Sequence, residues 1–203
     1  MTVIEVFADV NCPFTHVGLR RLAERRDAIG ADLVLRVRAW PLELVNGKPQ
    51  DAAYIAEEVE EIRTQVAPDL FVGFDQAAFP PTSMPAFALA AAAYRTSDQV
   101  GERVSLALRD ALFERGRNIA DPSVLADIGQ ACGVSPSAVA DEDTARSDWQ
   151  EGQRRGVKGS PHFFTPEGAF FCPTLDITRI DGRLRITADD AGFDEFVDRC
   201  MRT

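Results

Sequence analysis

The chain has 203 residues, of which 45% are apolar and 27% charged, with a formal charge of −10; that is enough chain for one large domain or two small ones with an ample core. The acidity works against a nucleic-acid partner, whose phosphates need clustered basic residues, and no segment has the apolar length of a membrane span. The opening Met1–Val6 lacks the basic stretch and long apolar run of a secretion signal and reads directly as a strand, so a cytoplasmic location is expected.

In chain order, Val3–Ala8 is a short apolar run with β-branched residues, the pattern of a buried strand. Asn11 or Cys12 then caps a helix with Pro13 in its first turn, and Phe14, Val17, Leu22 and Ile29 keep helical spacing up to Gly30. Leu33, Leu35, Val37 and Ala39 alternate as a second strand, completing a β-α-β unit that favours parallel pairing. From about Asp51 to Arg155 the pattern is helical throughout. One helix carries Ile55, Val59, Ile62 and Val66 and stops before Pro68. The next runs from Pro85 to Tyr94, and a third carries Val100, Val104, Leu108 and Leu112. Asp121-Pro122 caps a fourth with Leu125, Ile128 and Cys132 on one face, Ser135-Pro136 opens a short fifth, and a last one spans about Asp143 to Gly156. Strand patterns return at Pro161–Phe164 and Ala169–Cys172, joined through Thr165-Pro166-Glu167-Gly168, and again on either side of Asp181-Gly182. Phe193, Phe196, Val197 and Cys200 mark a closing helix.

Charge runs such as Arg20-Arg21, Arg25-Arg26 and Arg154-Arg155 are interleaved with acids on helical segments and read as solvated faces. The four cysteines, Cys12, Cys132, Cys172 and Cys200, form no CxxC pair and have no histidine at ligand spacing, so neither a disulfide framework nor a metal site is expected. Cys132 and Cys200 lie on apolar helix faces and read as core, as do Trp40 and Trp149. Cys12 has two readings. At a helix start, free amides and the positive helix end favour the thiolate and can lower a cysteine from about 8.5 to roughly 3.5–7.5; alternatively it is a small apolar residue at a strand end. Asp9, just before this turn, is a candidate for holding its geometry.

The segment Phe7-Ala8-Asp9-Val10-Asn11-Cys12-Pro13-Phe14-Thr15-His16-Val17-Gly18 resembles the active-site segment of DsbA-family oxidoreductases, in which Cys-Pro-x-Cys follows the first strand. Gly156-Val157-Lys158-Gly159-Ser160-Pro161-His162-Phe163-Phe164 is similar to that family's cis-proline loop. The resemblance spans nearly the whole chain and includes the cytosolic FrnE-like branch; kappa-class glutathione transferases and 2-hydroxychromene-2-carboxylate isomerases are related branches. It implies an α/β, thioredoxin-like fold with an inserted all-helical domain, the thioredoxin-like part being residues 1–45 and 156–203 and the insertion 46–155.

Where dithiol members carry their second cysteine this chain has Thr15, which excludes the usual CxxC cycle. Thr15 either hydrogen-bonds the Cys12 sulfur or is a plain helix N-terminal threonine. The resemblance further implies a cis Ser160-Pro161 bond and a substrate-contacting surface of Pro13, Phe14, Ser160, Pro161 and His162. His16 and His162, the two histidines of the chain, flank the two motifs; each either assists Cys12 or packs. Cys172 falls roughly opposite Pro161, where it is either a resolving thiol or a core residue.

Three functions are consistent with these residues. The first is a monothiol thiol–disulfide oxidoreductase acting through Cys12 and resolved by an external small thiol. The second is a thiol-dependent transferase or isomerase, with Phe71, Phe74, Phe79 and Phe87 walling an aromatic pocket. The third is a redox-inactive binding module. No tightly bound cofactor or metal is expected; glutathione or mycothiol would serve as co-substrate. The expected partners are a small thiol or a disulfide-bearing substrate, with a homodimer left open, and neither nucleic acid nor membrane.

Overall fold

The computed structural model describes residues 1–134 and 142–201. Strand β1 (Thr2–Ala8), helix α1 (Pro13–Ile29) and strand β2 (Leu33–Ala39) form the opening unit, with β1 and β2 parallel from Thr2 opposite Leu33 to Ala8 opposite Ala39. Helix α1 starts on Pro13, whose missing N–H costs nothing in a first turn, and ends on Gly30 in the left-handed region at φ 63°. Helices α2 (Leu42–Asn46), α3 (Ala52–Gln65), α4 (Met84–Thr96), α5 (Asp98–Arg109), α6 (Pro122–Cys132) and α7 (Glu142–Arg154) follow. The chain returns to the sheet as β3 (His162–Thr165) and β4 (Gly168–Phe171), giving the strand order β2-β1-β3-β4. β3 runs antiparallel to β1, with Phe7 opposite His162. β5 (Leu175–Ile180) and β6 (Arg183–Ala188) make a separate hairpin, and α8 (Asp190–Met201) closes the described chain.

Three details differ from the sequence pattern. Helix α2 carries too few residues to show a period. The third expected helix stops at Arg109 and widens into a π-helical turn, Asp110–Glu114; this sets Glu114 against α1 and the segment after α3. Strand β4 ends at Phe171 rather than Cys172, because Cys172 has φ 46° and leaves the extended conformation. Ser135-Pro136, read as opening a short helix, lies outside the described residues.

Alternate residues of β1 (Ile4, Val6, Ala8) join Leu19 and Leu22 of α1 and Phe163, Phe196 and Cys200 in one apolar cluster. Phe7 points to the other face, where it meets Trp40 edge-on at 6.5 Å between ring centres. A second cluster fills the helical region and reaches α1 through Val17 and the turn before it through Val10.

The outward amides of β2 are met one by one by side chains of that helical region. Leu35 N–H donates to Glu102 Oε2 at 2.7 Å, Val37 N–H to Tyr94 Oη at 2.7 Å, and Ala39 N–H to Asp148 Oδ2 at 3.1 Å. Tyr94 Oη in turn donates to Leu35 O at 3.0 Å. Glu102 also pairs with Arg26, and Asp148 with Arg38. The helices are thereby hydrogen-bonded onto the strand as well as packed against it.

Asp9 ties the two loops at the C-terminal ends of β1 and β2. Its Oδ1 accepts the Asn11 N–H at 2.8 Å and its Oδ2 the Leu42 N–H at 2.5 Å. The fully buried Arg109 reaches in from α5, donating through Nη2 to Asp9 O at 3.2 Å and through Nη1 to Ser105 O at 2.9 Å. Burial pushes the Asp9 carboxyl up to about 6, against the two amides and Arg109, which pull it down. Burial likewise lowers the Arg109 guanidinium to about 10.

Two stability measurements follow from these bonds. Tyr94→Phe leaves the Val37 amide and the Leu35 carbonyl without their partner and lowers the unfolding free energy by about 2 kcal/mol in urea titration. Asp9→Ala frees two amides and is also destabilising. Because the Asp9 pKa is raised on folding, its contribution is complete below pH ~4 and declines as pH rises through about 6. The gap between wild type and Asp9→Ala therefore narrows from acid to neutral pH, by up to about 3 kcal/mol at ~1.4 kcal/mol per unit.

Candidate active site

Cys12 occupies the N-cap of α1 and is 4% exposed. Its N–H donates to Asp9 O at 3.4 Å, and its carbonyl accepts the His16 N–H at 3.2 Å. The turn fixed by Asp9 thus delivers the thiol to the loop preceding β3, where Sγ donates to Ser160 O at 3.4 Å. Ser160 Oγ accepts the Asp9 N–H at 2.8 Å and shares a hydrogen bond with Thr15 Oγ1 at 2.7 Å. The Ser160–Pro161 peptide bond is cis. Cys12, Pro13, Thr15, Ser160 and Pro161, taken from opposite ends of the chain, form one site.

The thiol is not the exposed, acidified group that a helix start alone would give. Burial pushes Cys12 above the ordinary cysteine range, while hydrogen bonds from the Thr15 and Ser160 side chains and the Thr15 amide pull it back. Thr15 is itself fully buried, and its hydroxyl bonds the Ser160 hydroxyl beside the sulfur.

Neither histidine joins this group. His16 points into the helical region, where Nε2 is 2.6 Å from Glu114 Oε1 and its ring lies between Phe71 and Phe113. The other bonds of Glu114, from the Phe71 and Val72 amides, show why the π-helical turn is needed to place it. Burial lowers the His16 pKa despite that carboxylate. His162 is carried by the pleat of β3 away from the thiol; its Nδ1 accepts the Lys158 N–H at 3.1 Å and its ring stacks on Phe164 at 5.0 Å. Of the two roles that the sequence leaves open for each histidine, these partners are those of a packing group.

Cys172 does lie beside Pro161, its N–H donating to Pro161 O at 3.0 Å. All four cysteines are free. Burial, with Cys12 as a second cause, pushes the Cys172 thiol up to about 12. The aromatic pocket expected of Phe71, Phe74, Phe79 and Phe87 is absent from the surroundings of Cys12: these rings pack into the helical core, Phe71 and Phe74 against Phe113.

Cys12 instead faces a cleft of about 470 Å³ between the start of α1 and the α2–α3 segment. Pro13, Phe14, Leu42 and Ile55 supply its apolar lining; Lys48, Asp51, Tyr54 and Glu58 supply charge and hydrogen-bonding groups. Glu58 and Arg109 were missed in the sequence because each sits among ordinary surface charges. Spacing does single them out. Glu58 falls three residues after Ile55 and four before Ile62, on the buried face of α3, and Arg109 falls between Leu108 and Leu112. Burial raises Glu58 to about 7. Among the described residues no group of three His, Cys, Asp or Glu side chains could hold a metal, and no helix is long and apolar enough to cross a membrane.

Comparison with known proteins places these features in a family. The family model for the DSBA-like thioredoxin domain matches residues 3–185. Similar solved structures include the cytosolic disulfide reductase DsbM from Pseudomonas aeruginosa, 18% identical with a TM-score of 0.61, covering 97% of this chain and 95% of that one. A putative protein disulfide isomerase from Nitrosomonas europaea is 12% identical with a TM-score of 0.67, at 97% and 96% coverage. A 2-hydroxychromene-2-carboxylate isomerase is 14% identical with a TM-score of 0.58, at 83% and 88% coverage. At these identities the likeness is one of fold. No curated protein matches the sequence. With its thioredoxin-like α/β fold and a family match over nearly its whole length, the chain belongs to the DSBA-like thioredoxin domain family.

Proposed function

We propose that this protein is a monothiol thiol–disulfide oxidoreductase in which Cys12 attacks a disulfide and an external low-molecular-weight thiol resolves the product. The observation that carries the reading is the Cys12 thiol set on the Ser160 carbonyl at the inner end of an open cleft. The cleft volume lies within the roughly 300–1,000 Å³ of small-ligand sites. Its mixed charges, Lys48 with Asp51 and Glu58, suit a polar thiol such as glutathione or mycothiol better than an aromatic substrate. The similar DsbM structure is described as a cytosolic disulfide reductase, which agrees with work in a thiol-rich cytoplasm.

The cycle has two exchanges. Cys12, losing its proton, attacks R–S–S–R′; the Cys12–S–S–R bond forms as the S–S bond breaks, and R′S⁻ leaves and is protonated. A second small thiol, R″SH, then attacks the mixed disulfide, releasing R–S–S–R″ and restoring the Cys12 thiol. Thr15 and Ser160 favour the attacking thiolate by hydrogen bonding, and Pro13, Phe14 and Ser160 border the substrate. The bond from Cys172 to Pro161 keeps one internal alternative, in which Cys172 resolves the mixed disulfide instead.

Mass spectrometry after exposure to oxidised glutathione tests this. A single adduct on Cys12, lost in Cys12→Ser and retained in Cys172→Ser, is expected, and catalysed disulfide reduction with excess glutathione falls to background in Cys12→Ser only. An internal Cys12–Cys172 disulfide, with turnover lost in Cys172→Ser, would transfer the resolving role to Cys172. Activity that survives Cys12→Ser would remove the oxidoreductase reading altogether.

A further inference from the structure

A buried thiol that must become a thiolate needs somewhere to put its proton. Cys12 is almost wholly shielded, and the Ser160 carbonyl that accepts from its Sγ holds the S–H rather than removing its proton. The two histidines that could have taken the proton are engaged elsewhere, His16 by Glu114 and His162 by the Lys158 amide. Arg109 lies behind the turn and its guanidinium accepts nothing. Across the cleft there is a carboxylate, that of Glu58, on the second turn of α3.

Glu58 lines the Cys12 cleft on one side and a groove against the β5–β6 hairpin on the other, and it is only 9% exposed. Both Glu58 and Cys12 line this cleft, and the Glu58 charge is the smallest of the causes that raise the Cys12 thiol. Its surroundings contain few groups that could neutralise it. From its own helix, Tyr54 offers its hydroxyl, while Glu57 and Glu61 border the groove; from β5, Arg179 donates to Tyr54 Oη at 2.9 Å; Arg183 lies at the hairpin end. From the α2–α3 segment, Lys48 and Asp51 border the cleft, but the Asp51 carboxylate is already spent capping α3 through the Ala53 and Tyr54 amides. No arginine or lysine bonds Glu58 directly in the described structure, so its carboxylate is free to exchange a proton and not locked in an ion pair.

We infer that Glu58 is the acid–base partner of Cys12: its carboxylate accepts the thiol proton through the solvent of the cleft as Cys12 attacks, and returns it to the departing thiolate. The inference rests on the thiol–disulfide exchange proposed above. In the step, the proton passes from Cys12 Sγ to a Glu58 carboxylate oxygen, the Cys12–S–S–R bond forms, the substrate S–S bond breaks, and R′S⁻ takes the proton from Glu58 as R′SH. Glu58 ends as the carboxylate it began as, the Cys12 sulfur ends in the mixed disulfide, R′ leaves as the thiol, and the substrate disulfide is the only oxidant. Burial sets Glu58 near 7, where it can both accept and donate at neutral pH.

The test is the single-turnover rate of Cys12 adduct formation with oxidised glutathione from pH 5 to 10, for wild type, Glu58→Gln and Glu58→Asp. In wild type the rate rises through an inflection near 7, the Glu58 titration. In Glu58→Gln that limb is lost, the rate at pH 7.5 falls on the order of 100-fold, and the curves converge in alkali as Cys12 ionises unaided. Glu58→Asp keeps an acid limb, displaced and lower, which decides the matter if the amide variant does not fold. An unchanged or faster rate in Glu58→Gln at pH 7.5 would overturn the inference, since removing only the repulsion between carboxylate and thiolate makes Cys12 more reactive. A wild-type protein that forms no Cys12 adduct at any pH would instead sink the oxidoreductase reading itself.

Discussion

The carboxylate of Asp9 is the constraint on which the site depends. In one buried group it joins the turn after β1 to the turn after β2, through the Asn11 and Leu42 amides. Its own backbone N–H goes to Ser160 and its carbonyl receives both Cys12 N–H and Arg109. Four chain segments far apart in sequence therefore meet around one residue. The cost is an anion held away from water, and it is offset by two amide donors and a guanidinium rather than by exposure. Every position around Cys12 follows from this knot, since Cys12 is three residues further along the same turn.

Opposing influences act on the thiol. A helix start, two hydroxyls and an amide favour the thiolate, and burial disfavours it. Burial wins, and the thiol is held above the ordinary cysteine range.

Much of this architecture was legible in the sequence. Alternation in Leu33–Ala39 and the Pro13 start of α1 follow from local rules, and the parallel β1–β2 pair follows from their separation by one helix. The pairing of the β3 and β4 segments put Cys172 beside Pro161 as its spacing implied. What the sequence hid were side chains whose meaning depends on partners distant in the chain. His16 sits next to the motif but turns toward Glu114, a residue 98 positions away that is brought there by a π-helical turn with no distinctive pattern. Glu58 stands in a run of glutamates, and only its phase relative to Ile55 and Ile62 separates it from a solvated neighbour. Arg109 is similar: a charge on an amphipathic helix, one position away from facing water.

The side-chain bonds along β2 also decide how this sheet can meet other chains. An open strand is a template for another backbone, whether from a substrate, a second copy or an aggregate. With the amides of Leu35, Val37 and Ala39 already engaged by Glu102, Tyr94 and Asp148, that side of the sheet offers no vacant donors at those positions. The opposite margin is β4, four residues long and ended by the positive φ of Cys172. Strand addition to this sheet is thus restricted to the short outer edge of β4, one strand away from β3, which leads out of the Ser160 loop that also holds the Cys12 thiol.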